Sequence, residues 1–149
     1  MRSRNMPVGV DDFKKLCENY YLVDKTDFIR QLIDGHSEVT LITRPRRFGK
    51  TLTMSMLEYF FSIEKKNQTE HLFDGLAIEK AGAEYMSQRG SSPTIFLSLR
   101  SVKKLDFAGM LETLRFVIKE MYDVHKQALN GVEVDPSDRD YVEHIGTAD

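Results

Sequence analysis

Gly49, Lys50 and Thr51 put a residue without a side chain, an ammonium group and a hydroxyl in consecutive positions. That order suits the tail of a nucleoside triphosphate. The general phosphate-loop pattern is G-x-x-x-x-G-K-[ST], between a strand and a helix. Here the window reads Arg44-Pro45-Arg46-Arg47-Phe48-Gly49-Lys50-Thr51, with Arg44 standing where the first glycine would be. Gly49 lets the backbone approach the phosphates closely. The amides around 48–52 open a helix, so they are unpaired donors at its positive end, and together they form an anion cradle. Lys50 would reach the β- and γ-phosphates, and the Thr51 hydroxyl would hold Mg²⁺. The candidate nucleotide-binding residues are therefore Arg46, Arg47, Phe48, Gly49, Lys50, Thr51 and Leu52. Lys50 is also the candidate catalytic residue, and Thr51 the candidate metal ligand. Arg46 and Arg47 have three readings: a solvated loop, extra charge near the γ-phosphate, or a contact to nucleic acid.

A loop of this kind needs elements on both sides. Glu38-Val39-Thr40-Leu41-Ile42-Thr43 is β-branched and apolar, and reads as the strand leading into it. From Lys50 to about Glu64 the chain reads as a helix, apolar on more than one face and so expected to lie under both a sheet and other elements. Upstream, residues 11–16 read as a short helix and Tyr20–Val23 as an extended run. Asp24 reads as the cap of a helix over about 25–34, ended by Gly35 in a left-handed conformation. Downstream, a short helix is expected at about 81–88 and a second buried strand at Thr94–Leu99. A long helix follows from about Phe107 to Leu129, its apolar residues spaced by three and four. Strands alternating with helices predict an α/β fold with a parallel sheet covered by helices. Two strands make a small sheet, so the domain reads as incomplete.

The chain has 149 residues, 41% of them hydrophobic and 30% charged, which is the composition of a soluble globular protein. Its formal net charge of -2 provides no global field toward nucleic acid or anionic lipid. Cys17 is the one cysteine, which excludes an internal disulfide and a cysteine-based zinc site; it is expected half-buried near the end of the first helix. His36, His71, His125 and His144 are scattered without metal-ligand spacing. No apolar run approaches the ~20 residues of a membrane helix, and no secretory signal opens the chain, so cytoplasm is the expected compartment.

Thr43-Arg44-Pro45-Arg46-Arg47-Phe48-Gly49-Lys50-Thr51-Leu52 resembles the signature of a bacterial and archaeal family of AAA-ATPase-like proteins, in which R-P-R-R-F-G-K-[ST] replaces the usual loop. The Arg44 departure is expected there. Pro7–Phe13, Tyr21-Leu22-Val23-Asp24-Lys25-Thr26, Leu52–Phe61, Phe73-Asp74-Gly75-Leu76 and Ile95–Leu99 resemble further blocks of that family. The resemblance implies a P-loop NTPase fold of the AAA or STAND-like kind, a three-layer sandwich around a parallel sheet. It also implies ATP and Mg²⁺ as ligands, and often a C-terminal nuclease-like domain of the PD-D/E-x-K type. Family ATPases carry a Walker B strand ending in acidic residues, whereas Ile95–Leu99 runs into Arg100. Residues 1–130 are thus read as the N-terminal part of the ATPase domain and 131–149 as the start of a truncated following segment. Walker B and sensor residues are expected beyond Asp149.

The function expected is ATP binding through a variant Walker A loop, with Mg²⁺-dependent hydrolysis only in a longer parent protein. Two alternatives stand beside it: a nucleotide-binding switch with little hydrolysis, and nucleic-acid binding by the basic loop. The Asp24-Lys25 segment has two readings as well, as a helix cap or as a lining for the base or ribose.

Overall fold

The computed structural model describes residues 5–45 and 47–129, with side chains to Lys126. These fall into two compact units divided between Thr94 and Ile95. Arg46 and the segment 131–149 lie outside the described residues.

The first unit is helical. Helix α1 spans Phe13–Asn19, α2 Asp27–Gly35, α3 Lys50–Phe61, α4 Ala77–Ala81 and α5 Ala83–Met86, with a 3₁₀ turn at Lys66–Gln68. The core is built from residues at helical spacing. Phe13 and Leu16 of α1, Ile29 of α2, Met56, Tyr59 and Phe60 of α3, and Ile78 of α4 are all buried, together with Phe73 from the preceding loop. Three rings meet at its centre. Phe60 stands edge-on to Phe73 at 5.1 Å, and Phe73 stacks on Phe13 at 5.5 Å. Such pairs add ~0.5–1.5 kcal/mol beyond the area they bury.

Polar contacts fix α1 against α3. Asp12 caps α1 by accepting from Lys15 N–H, and its other oxygen accepts from the Tyr59 hydroxyl at 2.9 Å. The buried Phe13 N–H donates to Ser55 Oγ at 3.1 Å. Burial, and then the hydrogen bond to Asp12, raise the Tyr59 hydroxyl well above the usual phenol range. Lys65 packs over the Tyr59 ring and pairs with Glu58 at 2.7 Å.

The expected sheet is not present. Among the described residues there is no β-strand; pairing is confined to two isolated parallel bridges, Asn5 with Tyr20 and Ser62 with Ser92. Residues 38–43 lie outside any ladder, with Val39 86% and Leu41 83% exposed. Residues 94–99 likewise carry no strand, and Ile95, Leu97 and Leu99 are exposed. The β-branched pattern is real, but a strand exists only where another backbone completes its hydrogen bonds. The α/β sandwich expectation is corrected accordingly: this is a helical arrangement, and α3 buries one side, with Met54 left exposed on another.

Smaller corrections follow the same local logic. The left-handed residue after α2 is His36 (φ 44°), one beyond Gly35. Two short helices, α4 and α5, replace one, because Gly82 at φ 128° breaks the ladder between them. The second unit is an irregular segment followed by helix α6, Phe107–Leu129, with the ends its periodicity predicts. Among the described residues no helix is long and apolar enough to cross a membrane.

Candidate functional site

The loop before α3 turns twice through left-handed backbone. Arg47 has φ 69° and Gly49 φ 75°. The first is unusual for a residue with a side chain; the second is what glycine is for. A Cβ at Gly49 would meet nothing within 4 Å, so it is the conformation and not crowding that requires glycine there. Gly49 is the N-cap of α3 and offers no side chain to its first turn. The first intrahelical bond is from Thr53 N–H to the Gly49 carbonyl at 2.8 Å, reinforced by the Thr53 hydroxyl at 3.0 Å. Helix geometry therefore leaves the amides of Lys50, Thr51 and Leu52 pointing out of the helix start without intrahelical acceptors. A left-handed residue followed by a right-handed one curves successive N–H groups into a concave anion nest. The helix dipole adds positive charge at the same place.

Arg44, Pro45, Arg47, Phe48, Lys50 and Thr51 are exposed, with Phe48 61% accessible. Leu52 differs: its side chain is half-buried against the core, so only its backbone faces the turn. The Lys50 ammonium folds back over the loop. It donates to the Arg44 carbonyl and reaches the Pro45 carbonyl at 3.4 Å. Sequence reasoning did not anticipate this part for residues 44 and 45, because any residue type supplies a carbonyl. Among the described residues, charge at the turn is thus concentrated in one ammonium over the loop, Arg44 and Arg47, and three helix-start amides.

Asp24 and Thr26 belong elsewhere. Asp24 Oδ1 accepts from the backbone and hydroxyl of Thr26 at 2.8 and 2.7 Å, and its Oδ2 accepts from Ala77 N–H at 2.7 Å. The hydroxyl of the fully buried Thr26 in turn accepts from Ile78 N–H at 3.1 Å. The segment therefore caps α4 rather than α2, whose own N-cap, Thr26, makes no side-chain cap bond. Burial alone would push the Asp24 carboxyl upward. The hydrogen bonds from Thr26 and Ala77 and the charge of Lys80 outweigh it and hold the group below its ordinary value of 3.8. The sequence signal was the Asp-x-Thr spacing, which marks local capping without saying which helix is capped.

Cys17 is half-buried in α1, as expected. Among the described residues no group of three or more His, Cys, Asp or Glu could hold a metal ion. The Thr51 hydroxyl is exposed at the first turn of α3, an oxygen donor of the type that suits Mg²⁺.

Comparison with known proteins bears on this site. No solved structure matches the chain. A protein of Azotobacter chroococcum mcd 1, described as an uncharacterized protein in the vnfD 5' region, is 40% identical over 80 residues. The match covers 52% of this chain and 14% of that protein, so the chain spans a small part of its relative. A family model described as Predicted AAA-ATPase matches residues 7–146, a span that takes in the turn at 44–52, the helix behind it and the cap at Asp24. With nearly the whole chain matched, the protein belongs to the predicted AAA-ATPase family.

Proposed function

We propose that the chain binds the triphosphate of ATP at residues 47–52, as the nucleotide-binding part of a longer ATPase. The observation that carries this reading is the left-handed Gly49 at the start of α3, with the Lys50 ammonium lying over the same turn. The nest amides of 50–52 take phosphate oxygens. Lys50 exchanges the Arg44 and Pro45 carbonyls for the β- and γ-phosphates, so its ammonium stays hydrogen-bonded and gains a charged partner. Arg47 adds positive charge beside the tail. Thr51 holds Mg²⁺, which when bound neutralises phosphate charge and makes the γ-phosphorus easier to attack.

Turnover needs a further group to orient the attacking water. Nucleotide binding, not turnover, is therefore the activity proposed for this loop. Family membership and the loop's geometry support this reading together, since neither a plain helix start nor a bare sequence match would bring both.

Calorimetric titration with ATP and Mg²⁺ tests it. Lys50→Ala is expected to weaken binding at least about tenfold, because it removes a charge-assisted contact to phosphate. Thr51→Ala is expected to reduce the gain in affinity that Mg²⁺ gives while leaving metal-free binding nearly unchanged. Equal affinities for wild type and Lys50→Ala would remove the loop from the function.

A further inference from the structure

We propose that the cleft along α6 binds single-stranded nucleic acid, with phosphates at Lys104, Arg115 and Lys119 and a base stacked on Phe116. The cleft has a volume of about 600 Å³ and lies wholly within the second unit. Arg115 and Lys119 are one helical turn apart on α6, and Lys104 enters from the segment before the helix. Three cations thus line one depression together with Glu112, and the Asp106 carboxylate, which accepts from Gly109 N–H at 2.7 Å, lies beside it.

Phe116 sits among them and is 59% exposed. An exposed aromatic ring flanked by cations is the arrangement on which single strands dock: the cations follow the backbone and the ring face accepts any base. Gly109 adds no side chain to the cleft, and Thr113 turns its hydroxyl back to the Gly109 carbonyl at 2.8 Å. Glu112 repels phosphate but accepts hydrogen bonds from the amino groups of bases, so it suits a site holding a base between phosphates. A duplex keeps its bases stacked inside and gives Phe116 no face to cover. An acidic peptide would use the cations and leave the ring without a partner.

The net charge of -2 means that attraction must come from this local cluster and not from the molecule as a whole. The site shares no residue with the loop before α3, so it stands or falls independently of ATP binding.

Fluorescence anisotropy of a labelled oligothymidylate with the full chain, across a salt series, is the test. Wild type is expected to bind more tightly at low salt. The double variant Lys104→Ala/Arg115→Ala is expected to lose about tenfold in affinity near 0.1 M salt. Its log–log salt slope should be shallower by about 1.4, at ~0.7 per lost phosphate contact on a single strand. Phe116→Ala is expected to cost at least about fivefold and Phe116→Trp to keep wild-type affinity. Far-ultraviolet circular dichroism confirms that the helices are retained in each, and Lys50→Ala is expected to leave oligothymidylate binding unchanged. The proposal is overturned by no binding at low salt, by equal affinity for duplex, or by equal competition from polyglutamate with Phe116→Ala indistinguishable from wild type. It is also overturned if affinity falls with Arg47→Ala but not with the Lys104/Arg115 pair.

Discussion

Asp24 shows what a single carboxylate contributes when both of its oxygens are used. Replacing it with alanine removes acceptors for Thr26 and for the start of α4. The expected loss is about 1–2 kcal/mol, the range of a good helix cap, read from urea unfolding at neutral pH. The pH dependence has a definite sign. The folded carboxyl titrates below its ordinary value of 3.8. Its contribution is therefore complete above that value, falls as pH drops toward the lowered folded pKa, and is gone beneath it. Asp24→Asn should flatten that part of the stability–pH profile; an unchanged profile would show that Asp24 carries no linkage. The left-handed turn at Gly49 was legible in the sequence because its signal is local, a glycine directly before a helix-forming run. The partner of Asp24 was not, because Ala77 lies 53 residues away and nothing in the local pattern addresses it.

Helices α1 and α3 behave as one element, joined by Ser55, by the Tyr59–Asp12 bond and by the ring cluster around Phe60. Phe60→Ala removes a fully buried ring at the centre of that cluster and should cost about 3–5 kcal/mol. Tyr59→Phe removes only the hydroxyl contact to Asp12 and should cost about 1 kcal/mol. Thermal unfolding of both variants checks the order; a larger loss for Tyr59→Phe would contradict the packing described. The difference in legibility between element types is physical. Helix α6 was read correctly over its length because a helix completes its hydrogen bonds within its own segment, so twenty-three consecutive residues contain the instruction. Glu38–Thr43 and Thr94–Leu99 carry the same kind of local signal for strands, but a strand's partner must come from elsewhere, and among the described residues none pairs with them.

At the scale of the whole molecule, the buried apolar residues among those described lie within 13–78, while large apolar side chains at 39, 41, 95, 97 and 99 are exposed. Val39→Lys with Leu41→Lys should therefore leave the unfolding free energy within about 0.5 kcal/mol of wild type, as exposed substitutions do. It should also reduce self-association by removing exposed apolar surface. Melting curves together with light scattering over a range of concentrations test this; a large drop in melting temperature would mean that this segment is buried in solution.

The link from Asp24 and Thr26 to Ala77 and Ile78 also orders events during synthesis. Five residues, the length of α4, are far too few to hold a helix in water unaided. Its template is translated some fifty residues earlier, so the acceptors are already waiting when Ala77 leaves the ribosome, and the last helix of this core closes onto a finished surface rather than searching for one.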